Sequence, residues 1–229
     1  MSLPVAEQPL SLGEQIANGI AEDILQERLK PGDSIPEQNL AQRYQVSRGP
    51  IREALRILEK EGVVQILPRR GARVTQLTVT EVDEIFVIRA HLFGLAASLF
   101  AGRATEEDLL CLNTLFKQMK GLTPEDETTH AEVSAQMALV LLDQCGNHRL
   151  RYLILQLARQ VARYTQLGLQ TNERRRASIA SWRAMLRAFC QRESQQAENT
   201  GRQMVLNTLR EVTAQLNATH SDSKVELAG

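Results

Sequence analysis

Val46-Ser47-Arg48-Gly49-Pro50-Ile51-Arg52-Glu53-Ala54-Leu55-Arg56-Ile57-Leu58 reads as one amphipathic helix entered through a tight cap. Ser47 is a good N-cap, and Pro50 falls in the first turn, where its missing N–H breaks no helical hydrogen bond. Ile51, Ala54, Leu55 and Leu58 recur at the spacing of one buried stripe. Arg48 and Arg52, four residues apart, share the face opposite Leu55 and Leu58. A helix with an apolar back and a basic N-terminal front suits the major groove, where arginine reads guanine O6 and N7 with two hydrogen bonds. The helix N-terminus beside Ser47 and Gly49 also suits a phosphate.

The flanks extend this helix into a small module. Upstream, Ser11 caps a run in which Leu12, Ile16, Ile20, Ile24/Leu25 and Leu29 keep helical spacing, and Pro31-Gly32-Asp33 stops it. Pro36 to Tyr44 predicts a short second helix with Leu40 and Ala41 inward, and Tyr44-Gln45-Val46 a tight connection. Downstream, Gly62 ends the third helix. Val63 to Leu67 and Ala72 to Thr75 then flank Pro68-Arg69-Arg70-Gly71, a β-hairpin with a basic tip. Three helices followed by a two-stranded wing is winged helix-turn-helix architecture. Arg48 and Arg52 also have carboxylates within the module as alternative partners. For Arg56 a phosphate contact and an internal salt bridge are equally open.

Charge follows the same division. Residues 43–73 carry eight basic side chains against Glu53, Glu59 and Glu61, while residues 1–42 carry seven acidic ones against Arg28 and Lys30. The zero net charge of the 229-residue chain therefore hides a local nucleic-acid signature, although a solvated helix face explains the composition alone equally well. At 43% hydrophobic and 24% charged, the chain has material for a real core. Cys111, Cys145 and Cys190 lack metal-type spacing, and their odd number suggests a reducing compartment. No run approaches about 18 uninterrupted apolar residues and no basic stretch precedes an apolar one at the N-terminus, so neither a membrane span nor a secretory peptide is expected.

The residues from Leu29-Lys30-Pro31-Gly32 through Glu37, Leu40-Ala41, Val46 to Leu55, Leu58, Glu61-Gly62-Val63 and Gly71 resemble the GntR family of bacterial transcriptional regulators. The resemblance implies DNA contacts by Arg48 and Arg52, a backbone contact at Gln38, and a wing formed by Arg69, Arg70 and Gly71. Gly49 departs from the common Thr of this motif and removes a hydroxyl that would bond to phosphate.

Beyond Thr78 to Thr80, a linker with a Thr80/Asp83 cap, the chain reads as helix throughout. Helices are expected at about 81–101, 105–119, 124–143, 147–168, 171–191 and 194–217, with a frayed tail after Thr219. The fold class is thus mainly α: a winged helix-turn-helix over residues 10–77, then an all-helical antiparallel bundle over 80–218. Glu84 to Arg89, Leu95-Ala96-Ala97, Asp126 with His130, and Cys145-Gly146-Asn147 resemble the FCD-type effector domain of the FadR-like branch.

That resemblance implies a divalent metal held by one Asp and three His. Asp126 and His130, four residues apart, suit two of these positions, but Trp182 and Met204 fall where the other two His belong. An indole cannot ligate, and a thioether suits only a soft ion. No metal and no other cofactor is therefore expected, with Asp126 and His130 as the residual ligand pair. One alternative is a metal-free pocket in which Arg89, Asp126, His130, Trp182 and Arg183 receive an anionic metabolite, arginine pairing with a carboxylate. Others are a local Asp126–His130 pair or an ordinary core histidine, and Trp182 and Met185 suit packing as well. Ten arginines and no lysine at 149–192 face only Glu173. Most are expected to be solvated, paired with acids at 106–108 and 125–127, or set as a positive flank facing DNA.

No activated nucleophile or phosphate loop accompanies His130, which argues against an enzyme. The expected protein is a cytoplasmic homodimer that binds double-stranded operator DNA, without a membrane partner, as a repressor controlled by a small carboxylate. The alternative is a constitutive DNA-binding protein whose helical half only dimerises.

Overall fold

A computed structural model describes residues 10–123 and 126–226. Its contacts divide the chain into two compact units, 1–76 and 77–229.

In the first unit, α1 (Leu12–Leu25), α2 (Glu37–Tyr44) and α3 (Arg48–Lys60) pack with strands β1 (Ser34–Ile35), β2 (Val64–Leu67) and β3 (Gly71–Val74). Ser11 caps α1 through a reciprocal box with Glu14, the Ser11 hydroxyl accepting from Glu14 N at 3.2 Å and the Glu14 carboxylate from Ser11 N at 2.7 Å. The helix stops at Leu25, short of the expected Leu29. Glu27 turns to φ +57°, Leu29 N bonds to Asp23 O at 3.1 Å, and Arg28 Nε reaches the Asp23 carboxylate at 2.7 Å. Arg43 pairs with the same carboxylate, tying α2 to α1. Burial alone would raise the Asp23 pKa; the hydrogen bonds from Arg43 and Arg28 outweigh it and hold the group below its usual value.

The wing is a three-stranded antiparallel sheet in the order β1-β3-β2, so the expected two-stranded hairpin gains a strand. Ile35 pairs with Ala72, and Val64 with Val74. Two residues are too few for sequence alternation to reveal β1. Ile16, Ile20, Ile51, Leu55, Leu58 and Val64 are fully buried together, each stabilising the unit by roughly 1.5–3 kcal/mol.

The second unit contains α4 (Val79–Arg103), α5 (Glu106–Gly121), α6 (Glu127–Gln144), α7 (His148–Gln160), α8 (Ala162–Leu167), α9 (Asn172–Cys190) and α10 (Ser194–Glu226). Thr-x-x-acid occurs twice, at 78–81 and 80–83, and the earlier copy caps α4, displacing the expected Thr80 cap: Thr78 Oγ1 accepts from Glu81 N at 3.2 Å. The start expected at Pro124 lies outside the described residues. The expected 147–168 helix breaks at Val161 (φ −114°), whose fully buried side chain anchors the junction. α10 continues to Glu226, past the expected fray, and no Gly or Pro occurs in its stretch after Gly201.

α4 and α10 run antiparallel in close approach. A Cβ on Gly94 would lie 2.9 Å from Glu198 O, and one on Gly201 would lie 3.2 Å from Ala97 Cβ. By length and hydropathy α4 could span a membrane, with a mean hydropathy of 1.7 over its most apolar window. Its Val82, Phe86, Ala90, Ala97 and Phe100 instead form the bundle core, where Phe100 meets Phe189 edge-on at 4.7 Å.

Candidate functional site

α3 presents Arg48, Arg52 and Arg56 to solvent while Ile51, Ala54, Leu55 and Leu58 are buried on the adjoining face. Its exposed acids are hydrogen-bonded within the unit: Glu53 accepts from the Ser11 hydroxyl at 3.4 Å and Glu59 from Ile66 N at 3.2 Å. Arg48 and Arg56 have no carboxylate at ion-pair distance among the described residues, whereas Arg52 Nε donates to Glu37 Oε2 at 2.9 Å. Ser47 takes the N-cap position without the expected side-chain cap bond, so its exposed hydroxyl remains available to another acceptor or donor. Gly49 is exposed, and a Cβ there would approach only Ser47 Oγ, at 3.8 Å. Gln38 is exposed on α2.

The wing tip is a tight turn in which Arg70 N bonds to Leu67 O at 3.1 Å. Pro68 follows Leu67, Arg69 sits at φ +60° and Gly71 at φ +74°. A non-glycine residue in the left-handed region costs about 1–2 kcal/mol, yet an arginine stands here with its side chain in solvent. Arg69, Arg70 and Gly71 therefore form an exposed basic point.

The interior residues of the helical unit are placed unequally. Arg89 Nη1 donates to Thr165 Oγ1 at 3.3 Å, its guanidinium lies 5.3 Å from the Phe86 ring centre, and its buried Nε has no hydrogen-bond partner among the described residues. Burial pushes its pKa down to about 10, so it stays a cation at neutral pH. His130 is 1% exposed, and its Nε2 likewise has no partner among the described residues. Burial, and then the nearby Arg175 charge, lower its pKa and favour the neutral ring. Trp182 is fully buried, its Nε1 donating to Ser134 Oγ at 3.0 Å. Arg183 is exposed, because the residue after an inward Trp182 faces a different side of α9. It does not join the expected pocket.

The donors do not fit the metal that the domain resemblance implies. Asp126 Oδ2 accepts from both Thr123 N and Thr123 Oγ1, each at 2.9 Å, and these bonds hold its carboxyl below the usual range. Its Oδ2 closes the entry to α6. Trp182 supplies no lone pair, and Met204 packs against the core. Among the described residues no three His, Cys, Asp or Glu side chains gather at ligating distance.

The roles of two residues escaped the sequence reading. Glu37, named above only for the family resemblance, is the partner of Arg52. Arg175, grouped above with the solvated arginines, is buried and donates to Leu169 O at 3.1 Å. Its signal was periodic: 175, 178, 182, 185 and 189 form one inward stripe of α9. Arg151 also corrects an expectation, pairing with Asp143 instead of the acids at 106–108 or 125–127; Glu125 lies outside the described residues. A groove of about 470 Å³ between α9 and α10, bordered by Ala180, Ala184, Asn199 and Gln203, includes none of the expected effector residues.

A winged helix-turn-helix with an exposed basic reading helix, followed by a helical bundle, is the architecture of a DNA-binding transcriptional regulator. Residues 12–74 match the model of bacterial regulatory proteins of the gntR family, and residues 84–207 match the FCD domain. The chain belongs to the GntR family, in the branch that carries an FCD domain. It is 33% identical over 150 residues to the HTH-type transcriptional regulator YdhC of Bacillus subtilis, covering 65% of this chain and 67% of that one. It is 26% identical over 153 residues to the transcriptional repressor GlaR of Escherichia coli, covering 65% and 70%. Among solved structures, Escherichia coli McbR/YncC superposes with a TM-score of 0.69 at 22% identity, over 94% of this chain and 99% of that chain, a likeness of fold.

Proposed function

We propose that this regulator is a cytoplasmic homodimeric repressor whose two winged units read inverted half-sites of one operator and whose affinity for DNA is set by a small anionic metabolite. The observation that carries the DNA reading is the exposed Arg48/Arg52/Arg56 face of α3, which flanks a fully buried apolar stripe. In this reading Arg48 and Arg52 contact bases. Gln38, Ser47 and the backbone at Gly49 hold phosphates, and Arg69, Arg70 and Gly71 follow the backbone or enter the minor groove.

A second copy of the chain is supported by apolar side chains left in solvent on two neighbouring helices. Ile88 and Leu95 on α4 are 51% and 42% exposed, and Tyr152 and Leu153 on α7 are 51% and 47% exposed. Two-fold pairing of such a face matches the protein symmetry to a palindromic operator. Repression is supported by relatives named as repressors, GlaR and the gluconate operon repressor of Bacillus licheniformis.

In this reading Arg89 anchors the effector, a half-buried cation with no described carboxylate at ion-pair distance, with His130 and Trp182 buried in the same unit and Asp126 at the entry to α6. An effector changes DNA affinity only by binding one arrangement of the dimer better than the other. The constitutive alternative is favoured by one observation: the Trp182 side chain fills space in the core.

Selection of operator sequences from random DNA by the full-length protein tests the reading. Enrichment of two inverted half-sites about one helical turn apart is expected. An unsymmetric single site overturns the dimer, and no enrichment overturns sequence-specific binding. Carboxylate metabolites that leave both the melting temperature and operator affinity unchanged favour the constitutive protein.

A further inference from the structure

We propose that Glu37 is a specificity-determining positioning residue: it holds the Arg52 guanidinium by one edge so that its two terminal amino groups face a guanine. This rests on the reading above that Arg52 contacts a base. The Arg52 Nε–H points to Glu37 Oε2 at 2.9 Å across the turn between α2 and α3. An arginine has five N–H donors in a rigid fork. With Nε occupied, the end-on edge remains, and its spacing matches guanine O6 and N7.

Stability does not account for the pair. Its side chains are 60% and 35% exposed, and ion pairs that open to water contribute little to folding. A carboxylate at a DNA-facing surface also repels phosphate, which costs non-specific affinity. Arg48 and Arg56 share the exposed face of α3 without any carboxylate at ion-pair distance among the described residues. Of these three cations, then, the middle one is held.

The holder is itself fixed. Glu37 opens α2 directly after Pro36, whose φ is −68°, and Pro36 O accepts from Asn39 N at 3.1 Å and Leu40 N at 3.3 Å. In the first turn of a helix a carboxylate is favoured by the N-terminal dipole. A long flexible arginine is thereby ordered before DNA arrives, so less rotamer freedom is lost on binding. Free Arg52 would pair with phosphate as readily as with guanine; held Arg52 is directed at one base.

The test compares the selected operator with random duplex DNA in competition binding, using full-length wild type, Glu37→Gln, Arg52→Ala and the double variant. Glu37→Gln is expected to lower the operator-to-random ratio about tenfold while random-sequence binding stays equal or tightens. The loss should map to one base pair in an operator substitution series, and the double variant should match Arg52→Ala alone. Thermal melts within a degree of wild type show that folding is not the cause. If Arg52→Ala collapses the ratio and Glu37→Gln leaves it intact, the positioning role is wrong while the base contact stands. If Arg52→Ala leaves the ratio intact, the base-contact reading falls and the positioning role with it.

Discussion

Trp182 on α9 donates its indole N–H to Ser134 Oγ on α6 at 3.0 Å, in the interior of the helical unit. The position is one where the FCD resemblance places a metal-ligating histidine. Here it holds a large ring whose only polar atom is already bonded.

The metal content follows from the same replacement. Protein purified without chelator is expected to carry no stoichiometric transition metal, and EDTA should leave its melting temperature unchanged, since no metal-binding free energy adds to the native state. Elemental analysis with melts in EDTA checks this. About one metal per chain, lost together with several degrees of melting temperature, would return His130 to a ligand role.

Arg48→Ala and Arg52→Ala are each expected to reduce discrimination between operator and random DNA by about 1–3 kcal/mol, the value of a good bidentate contact. Competition binding measures it. An equal loss on both DNAs would reassign that arginine to phosphate.

At the wing, Arg70→Ala should lower the slope of log affinity against log salt by about 0.9. Arg69→Gly should do the same while raising the melting temperature, since glycine relieves the φ of +60° that arginine now tolerates. Titrations across salt concentrations test both; an unchanged slope removes the tip from the DNA backbone.

Gly49→Thr should tighten DNA binding without loss of stability. The added Cβ meets nothing closer than Ser47 Oγ at 3.8 Å, and the hydroxyl supplies the phosphate partner that glycine lacks. A gain of about 1 kcal/mol is expected. Equal affinity for the two proteins would place this helix end away from phosphate.

Acidification should weaken the fold partly through His130. Its folded pKa lies below the model-peptide value of 6.5, so the unfolded chain binds the proton first. The stability present above about pH 6.5 therefore declines as pH falls through that value. His130→Gln should flatten this part of a stability-against-pH profile measured by urea unfolding. A profile identical to wild type would mean that the ring titrates alike in both states.

Where a signal repeats along the chain, the sequence alone was enough. The α3 stripe of Ile51, Ala54, Leu55 and Leu58 was legible from spacing, as were the Ser11 cap and the basic wing tip, because helix and hairpin hydrogen bonds join residues close in sequence. The order of a winged unit followed by a helical one was likewise legible. Tertiary structure decided the features whose partners lie far along the chain. β1 exists because Ser34–Ile35 meets β3 some forty residues later. Helix 147–168 breaks at Val161, whose side chain lies in the core, and Arg175 is buried because α9 turns it toward the interior. Arg183 was expected inside but is exposed, since one step along α9 rotates a side chain by about 100°. Which arginine is free and which is held depended on Glu37, fifteen residues from Arg52 on another helix. Periodicity carries no term for a pairing of that kind; only the packing of α2 against α3 brings the two charges together.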